Sequence, residues 1–177
     1  MSLDIKNVHS HRPVLEMILD TGTISNVLEF GIGWGSTPLF AEKCKSLVSV
    51  ESNDLAWLER VSESVGDCPH WDKVIALGPC RWMVELPKRF PNRQYDLVFV
   101  DGHGDSRHAQ MLYGFCVAPI IVCHDTETQS FNWTATYPAA SLMGMAAATY
   151  VPEDGGPHTT IWARQDHMDF LSKGLCK

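Results

Sequence analysis

The chain has 177 residues, 45% of them hydrophobic and 20% charged, the balance of one globular domain that buries its own core. Its formal net charge is −7, from 14 basic and 21 acidic residues, with no basic cluster, so nucleic acid is disfavoured as a partner. It lacks an apolar N-terminal segment and any apolar run of about 18 residues, which predicts a cytoplasmic protein with no membrane partner.

In chain order, residues 11–20 carry Val14, Leu15, Ile18 and Leu19 on one helical face and stop at Gly22. Asn26–Phe30 reads as a strand. Ser36–Lys45 reads as a helix, with Ser36, Thr37 and Pro38 in its cap and first turn. A second strand, Ser46–Val50, leads to a helix over Asn53–Ser64, capped by Asn53 or Asp54. Lys73–Leu77 is a third strand, followed by a helical patch near Arg81–Arg89. Tyr95–Val100 is the fourth and most apolar strand, Ser106–Cys116 a helix and Pro119–Cys123 a fifth strand. After residue 125 the rhythm changes: Ala146–Val151 and Thr159–Arg164 read as two strands joined by the turn PEDGGPH. The alternation predicts an α/β fold: a Rossmann-like, doubly wound, mostly parallel sheet with helices on both faces. An antiparallel C-terminal hairpin closes its edge, and residues 1–177 form one domain. The six cysteines make neither C-x-x-C nor a zinc signature and read as buried, reduced thiols.

Ligands of such sheets bind outside the carboxyl ends of the strands. There the first strand delivers VLEFGIGWGSTPLF, whose glycines allow close backbone approach. A P-loop would need a lysine that is missing. A dinucleotide fingerprint would need Gly at position 36, where Ser stands. Glu29, just before the turn, would repel a pyrophosphate and attract a cation. S-adenosylmethionine carries a sulfonium and an ammonium and no phosphate. Glu51, ending the second strand, is placed to accept from ribose hydroxyls of either cofactor. A glycine turn that binds nothing is the plain alternative.

The segment VLEFGIGWGST resembles the first motif of class I S-adenosylmethionine-dependent methyltransferases, an acid followed by G-x-G-x-G. The resemblance implies S-adenosyl-L-methionine as cofactor, with Glu29 near its methionine amine and Gly31, Gly33 and Gly35 passing beneath it. Ser36 and Thr37 open the following helix toward the ligand, and Ser52 adjoins Glu51. No carboxylate follows the third strand, so the adenine is left to backbone at Gly78 or to Trp82, which reads equally well as core.

A second pair of stretches, YDLVFVDGHGDSRHAQM and VCHDTET, brings Asp101, His103, His124 and Asp125 to the ends of strands four and five. Two carboxylates there could hold Mg²⁺ or another divalent cation, or orient a histidine as general base. Capping of the following turns is the structural alternative. The pairing resembles metal-dependent small-molecule O-methyltransferases, and more closely the macrocin-O-methyltransferase-like and cephalosporin-hydroxylase-like groups. The likeness runs from about Val14 to Glu127. It implies Asp101 and Asp125 as metal ligands, Thr126 at the third ligand position, and methyl transfer to a small-molecule oxygen or nitrogen acceptor. Trp133 and Tyr137 read as acceptor-pocket walls or as packing. An NAD- or nucleotide-sugar-dependent enzyme and a non-catalytic S-adenosylmethionine-binding protein remain as other classes. The small cleft leaves room for a second copy, a homodimer.

Overall fold

The computed structural model describes residues 10–131 and 133–175; Asn132 and Cys176 lie outside them. Helix α1 is Arg12–Leu19, β1 Asn26–Phe30, α2 Thr37–Lys43, β2 Ser46–Glu51, α3 Leu55–Val65 and β3 Trp71–Ile75. Then come α4 (Trp82–Arg89), β4 (Leu97–Val100), α5 (Arg107–Val117), β5 (Ile120–His124), α6 (Tyr137–Leu142), β6 (Met145–Tyr150), β7 (Thr159–Arg164) and α7 (Gln165–Leu175). One seven-stranded sheet runs in the order β3-β2-β1-β4-β5-β7-β6. The first five strands are parallel; β7 pairs antiparallel with both β5 and β6.

The α/β reading and the edge hairpin therefore hold, with differences of detail. Strand β3 starts two residues earlier than the apolar run suggested, because Trp71 packs inward. Helices α6 and α7 lie in stretches where no helix was expected. Cys44 and Cys123 are buried as expected, whereas Cys80 and Cys116 are exposed. Among the described residues no helix is long and apolar enough to cross a membrane.

Strands buried on both faces have no polar side to give away. Val27, Leu47, Phe99, Val122 and Ile161 pack on one face with Leu15 and Ile18 of α1 and Phe40 of α2. Leu28, Phe30, Val98, Ile121 and Trp162 pack on the other with Trp82, Met111 and Phe115. Trp82 thus belongs to the core, 4.9 Å from Phe30 ring to ring.

The pairing register carries the candidate site. Phe30 stands opposite Val50 and Val100, Val100 opposite Cys123, and His124 and Tyr150 both opposite Thr159. One step further along, Glu51, Gly31, Asp101, His124, Thr159 and Tyr150 form one row at the end of the parallel strands. Strand parity turns this row toward the α1 side, where Ser10 and His11 lead into the helix.

Gly31 is the narrow point of the row. Its φ is +90°, and a Cβ there would lie 2.3 Å from the Asp101 carbonyl oxygen. Its N–H donates to the Val50 carbonyl at 3.0 Å, while the Asp101 N–H donates to the Phe30 carbonyl at 2.8 Å. Both neighbouring strand ends are thereby locked against a residue that has no side chain. Gly31→Ala combines an unfavourable φ with a backbone clash and should cost about 3 kcal/mol or more. Urea unfolding checks this; a variant within ~0.5 kcal/mol of the parent would contradict the close approach.

Candidate active site

A cavity of about 300 Å³ opens over the end of this row. Of the residues expected at a cofactor site, Gly31, Glu51 and Asp101 line it, together with His103 of the expected catalytic group. Ile32, Asn53, Asp54, Trp57 and Gly102 join them. Gly33, Gly35, Ser36, Thr37, Ser52 and Gly78 are not among its lining residues. The lining holds three carboxylates and a histidine and no lysine or arginine.

Glu51 is buried, and its Oε1 accepts from the N–H groups of Asn53 and Asp54 at 2.7 and 3.1 Å. Its other oxygen could accept from a ligand hydroxyl. Asp54, not Asn53, caps α3, accepting from the Trp57 N–H at 3.1 Å. The Trp57 indole donates to the Ile32 carbonyl at 2.5 Å, which ties the glycine turn to α3.

Glu29 does not reach the cavity. It is wholly buried, and its carboxylate accepts from Ser36 Oγ at 2.5 Å, Thr37 Oγ1 at 2.9 Å and Ser49 Oγ at 2.6 Å. Thr37 in turn accepts from the Gly33 N–H at 2.9 Å, and Ser49 from the Trp71 indole at 2.9 Å. The acid before the turn therefore shapes the turn from behind, and Ser36 and Thr37 spend their hydroxyls on it. A direct contact of these three side chains with a cofactor amine is not what the geometry offers. Burial raises the Glu29 pKa from 4.5 to about 7, against the lowering effect of the three hydroxyls.

A carboxyl whose folded pKa is raised favours the folded state at low pH and loses that advantage as pH climbs through the folded value. The wild type should therefore lose about 2–3 kcal/mol relative to Glu29→Gln between roughly pH 5 and pH 8. Paired denaturation series at the two pH values check this; parallel stability curves for the two proteins would contradict it.

On the other side of Gly31 stands a denser network. The Arg107 guanidinium donates through Nη2 to Asp101 Oδ1 and through Nη1 to Asp125 Oδ2, each at 2.9 Å. It also donates to the carbonyls of Gly102 (2.8 Å) and His124 (2.9 Å). Asp101 and Asp125 are thus brought together, but an arginine occupies the bridging position expected for a divalent cation. Thr126 Oγ1 is engaged with Thr160 Oγ1 at 2.8 Å and does not join them. A dication beside a bidentate guanidinium would be repelled, so this donor pair does not fit Mg²⁺. Among the described residues, His11, Asp101 and His124 are the one trio with metal-like spacing, and the Asp101 carboxylate in it also accepts from Arg107.

The geometry around His124 suits proton handling instead. Its Nδ1 lies 3.3 Å from Asp101 Oδ1 and 3.5 Å from Asp125 Oδ1. Ionised carboxylates only accept, so Nδ1 carries the hydrogen. Nε2, 2.8 Å from Ser10 Oγ, is then the acceptor of the Ser10 hydroxyl. The His11 ring meets the His124 ring edge-on at 4.6 Å. Burial alone would push the His124 pKa down, but the hydrogen bond and charge of Asp101, with the charge of Asp125, carry it above the ordinary histidine value. Asp101 is raised by burial, yet the His124 hydrogen bond and the charges of His124, Arg107 and His11 hold it near 2. His103 sits at the cavity rim, half-buried, with Nδ1 accepting weakly from the Asp105 N–H at 3.4 Å.

The sequence stretch that supplied Asp101 and His103 also contained Arg107, whose role was missed. The available signal was its position: a cation at the first residue of a helix opposes the helix dipole and needs a local reason. Ser10 and His11 had no such signal. Trp133 is core, stacked on Trp162 at 6.5 Å, whereas Tyr137 is exposed. Arg107→Ala leaves two part-buried carboxylates facing each other uncompensated and should cost about 3 kcal/mol or more. Arg107→Lys, which cannot bridge bidentately, should recover only part of it in the same unfolding assay; full recovery by lysine would contradict the bridging role.

No family model matches the sequence, and no curated protein does either. Solved structures do match it. An O-methyltransferase from Bacillus cereus in complex with SAH aligns over 93% of this chain and 83% of its own, at 12% identity and a TM-score of 0.66. The O-methyltransferase TomG from Streptomyces achromogenes, in complex with SAM, aligns over 93% and 91%, at 14% identity and a TM-score of 0.63. The N-methyltransferase NodS from Bradyrhizobium japonicum WM9, in complex with S-adenosyl-L-homocysteine, aligns over 88% and 85%, at 15% identity and a TM-score of 0.58. Strand order, the cavity at the strand ends and these likenesses agree: the chain has the class I fold of the S-adenosylmethionine-dependent methyltransferases.

Proposed function

We propose that this chain is an S-adenosylmethionine-dependent methyltransferase acting on a small-molecule oxygen or nitrogen acceptor, without a metal ion. The observation that carries the reading is the charge of the cavity: Glu51, Asp54 and Asp101 line it and no cation does. Such walls repel a pyrophosphate and favour a sulfonium and an ammonium, which argues against the dinucleotide and nucleotide-sugar classes. The discrimination that the sequence assigned to Glu29 is thus made by other carboxylates.

In this reading Glu51 receives the ribose, Asp101 closes the sulfonium end, and the bound cofactor supplies an electrophilic methyl group. The chain's own part is to align and desolvate the acceptor and to take its proton. His124 is the base, its Nδ1–H held by Asp101 and its Nε2 lone pair turned to the Ser10 hydroxyl. Asp125 and Arg107 fix that orientation, and His103 stands at the rim. Imidazole paired with a carboxylate that is ionised down to about pH 2 is stabilised as it gains charge.

Calorimetry with S-adenosylhomocysteine tests the reading. Binding in the micromolar range is expected for the wild type, unchanged by millimolar Mg²⁺ and at least tenfold weaker for Glu51→Ala. Binding of NADH but not of S-adenosylhomocysteine would contradict it.

A further inference from the structure

The seven-stranded sheet has two free edges, and they are built differently. At the β3 edge, Asp72 and Lys73 put charge on the strand itself. Arg89 Nη1 donates to the Lys73 carbonyl at 2.6 Å, and Arg93 reaches Asp72 at 3.9 Å. Charged side chains and an occupied carbonyl keep an edge strand from pairing with another chain.

The β6 edge has no such guard. No charged residue stands between Glu127 and Glu153, in a chain where 20% of residues are charged. Strand β6, Met-Ala-Ala-Ala-Thr-Tyr, also contains no proline. Among the described residues only β7 pairs with it. In an antiparallel pair every second residue turns its N–H and C=O away from the partner, so β6 holds backbone groups open along its outer side. Apolar side chains stand exposed at both ends: Leu142, 90% exposed, and Met143 before the strand, and Val151 after it.

We propose that β6 pairs antiparallel with β6 of a second copy about a two-fold axis, joining two seven-stranded sheets into one. The axis sets the start of one strand beside the end of the other. At the start, Met145 stands opposite Arg164 of β7, which is exposed and forms no ion pair among the described residues. At the end, the chain runs through Val151 into Glu153 and Asp154. Opposite charges and apolar ends therefore meet twice across the axis, whereas a parallel copy would set like charges side by side. Each copy carries a net charge of −7, so two copies repel through most of their surface; between its two ends this seam bears no charge. Pairing through β6 leaves a guarded β3 edge on each side of the joined sheet, so growth stops at two copies. Tyr150, Val151, Glu153 and Asp154 also wall a cavity of about 540 Å³ beside Ser10, which then lies at the seam. The pairing needs only the sheet, whatever reaction the chain performs.

Sedimentation velocity on the full-length protein between about 1 and 100 μM tests the pairing. A closed dimer with a dissociation constant in the micromolar range is expected. Ala147 is exposed on β6, so a longer side chain there leaves the core intact. Ala147→Lys should weaken association at least about tenfold. Arg164→Glu should weaken it at least about threefold, and adding Glu153→Lys and Asp154→Lys should restore it. Backbone hydrogen exchange gives a second readout. At about 100 μM the β6 amides should exchange at least about tenfold faster in Ala147→Lys than in the wild type, with those of β3 unchanged. A monomer throughout the range, a dimer undisturbed by Ala147→Lys, a dimer indifferent to Arg164→Glu, or assemblies that keep growing with concentration would each overturn the inference.

Discussion

Arg107 donates four hydrogen bonds, to Asp101, Asp125 and the carbonyls of Gly102 and His124. It ties the end of β4 to the end of β5 with one planar cation. Its guanidinium also lies 4.4 Å over the Phe131 ring, which closes it from the side. Without it, two carboxylates and a histidine would meet at the edge of a buried sheet with no compensating charge. With it, Asp101 is ionised, His124 has one tautomer, and the lone pair of Nε2 is turned to Ser10. The chemistry assigned to this chain depends on that fixed direction.

The sheet supplies the rest of the order. A parallel register places one residue of each strand end in a line, so Glu51, Gly31, Asp101, His124, Thr159 and Tyr150 become neighbours although 119 positions separate Tyr150 from Gly31 in the chain. Gly31 lets the line pass without a side chain at its centre. To one side lies a cavity with carboxylate walls, to the other a cavity reached through Ser10. The transfer of charge from a sulfonium to an imidazole would run along this line, in surroundings whose net negative charge lowers its cost.

What could be read in the sequence follows from how local each feature is. The alternation of apolar runs and helical periods was enough for the α/β sheet, because strands buried on both faces admit few other arrangements. Gly31, Glu51, Asp101 and His124 were legible because they stand at strand ends, where topology alone brings them together. Glu29 was misjudged in its role: its strand position was right, but its partners Ser36, Thr37 and Ser49 come from two other elements, and one sequence cannot reveal that they turn inward to it. The Asp101 and Asp125 pair shows a similar limit. Asp101 and Asp125 are paired as foreseen, yet the cation between them is a side chain from the following helix. Ser10 contacts a residue 114 positions away, which no local pattern encodes.

The central claim is that one row of strand-end residues holds the cofactor over Glu51 and Asp101 and presents His124 beyond it. A crystal structure of the chain with S-adenosylhomocysteine addresses this most directly. The expected density has the ribose hydroxyls on the Glu51 carboxylate and the sulfur near Asp101, with the Arg107 bridge unbroken and no metal between the carboxylates. Density on another surface, or a divalent cation displacing Arg107 from Asp101 and Asp125, would contradict it.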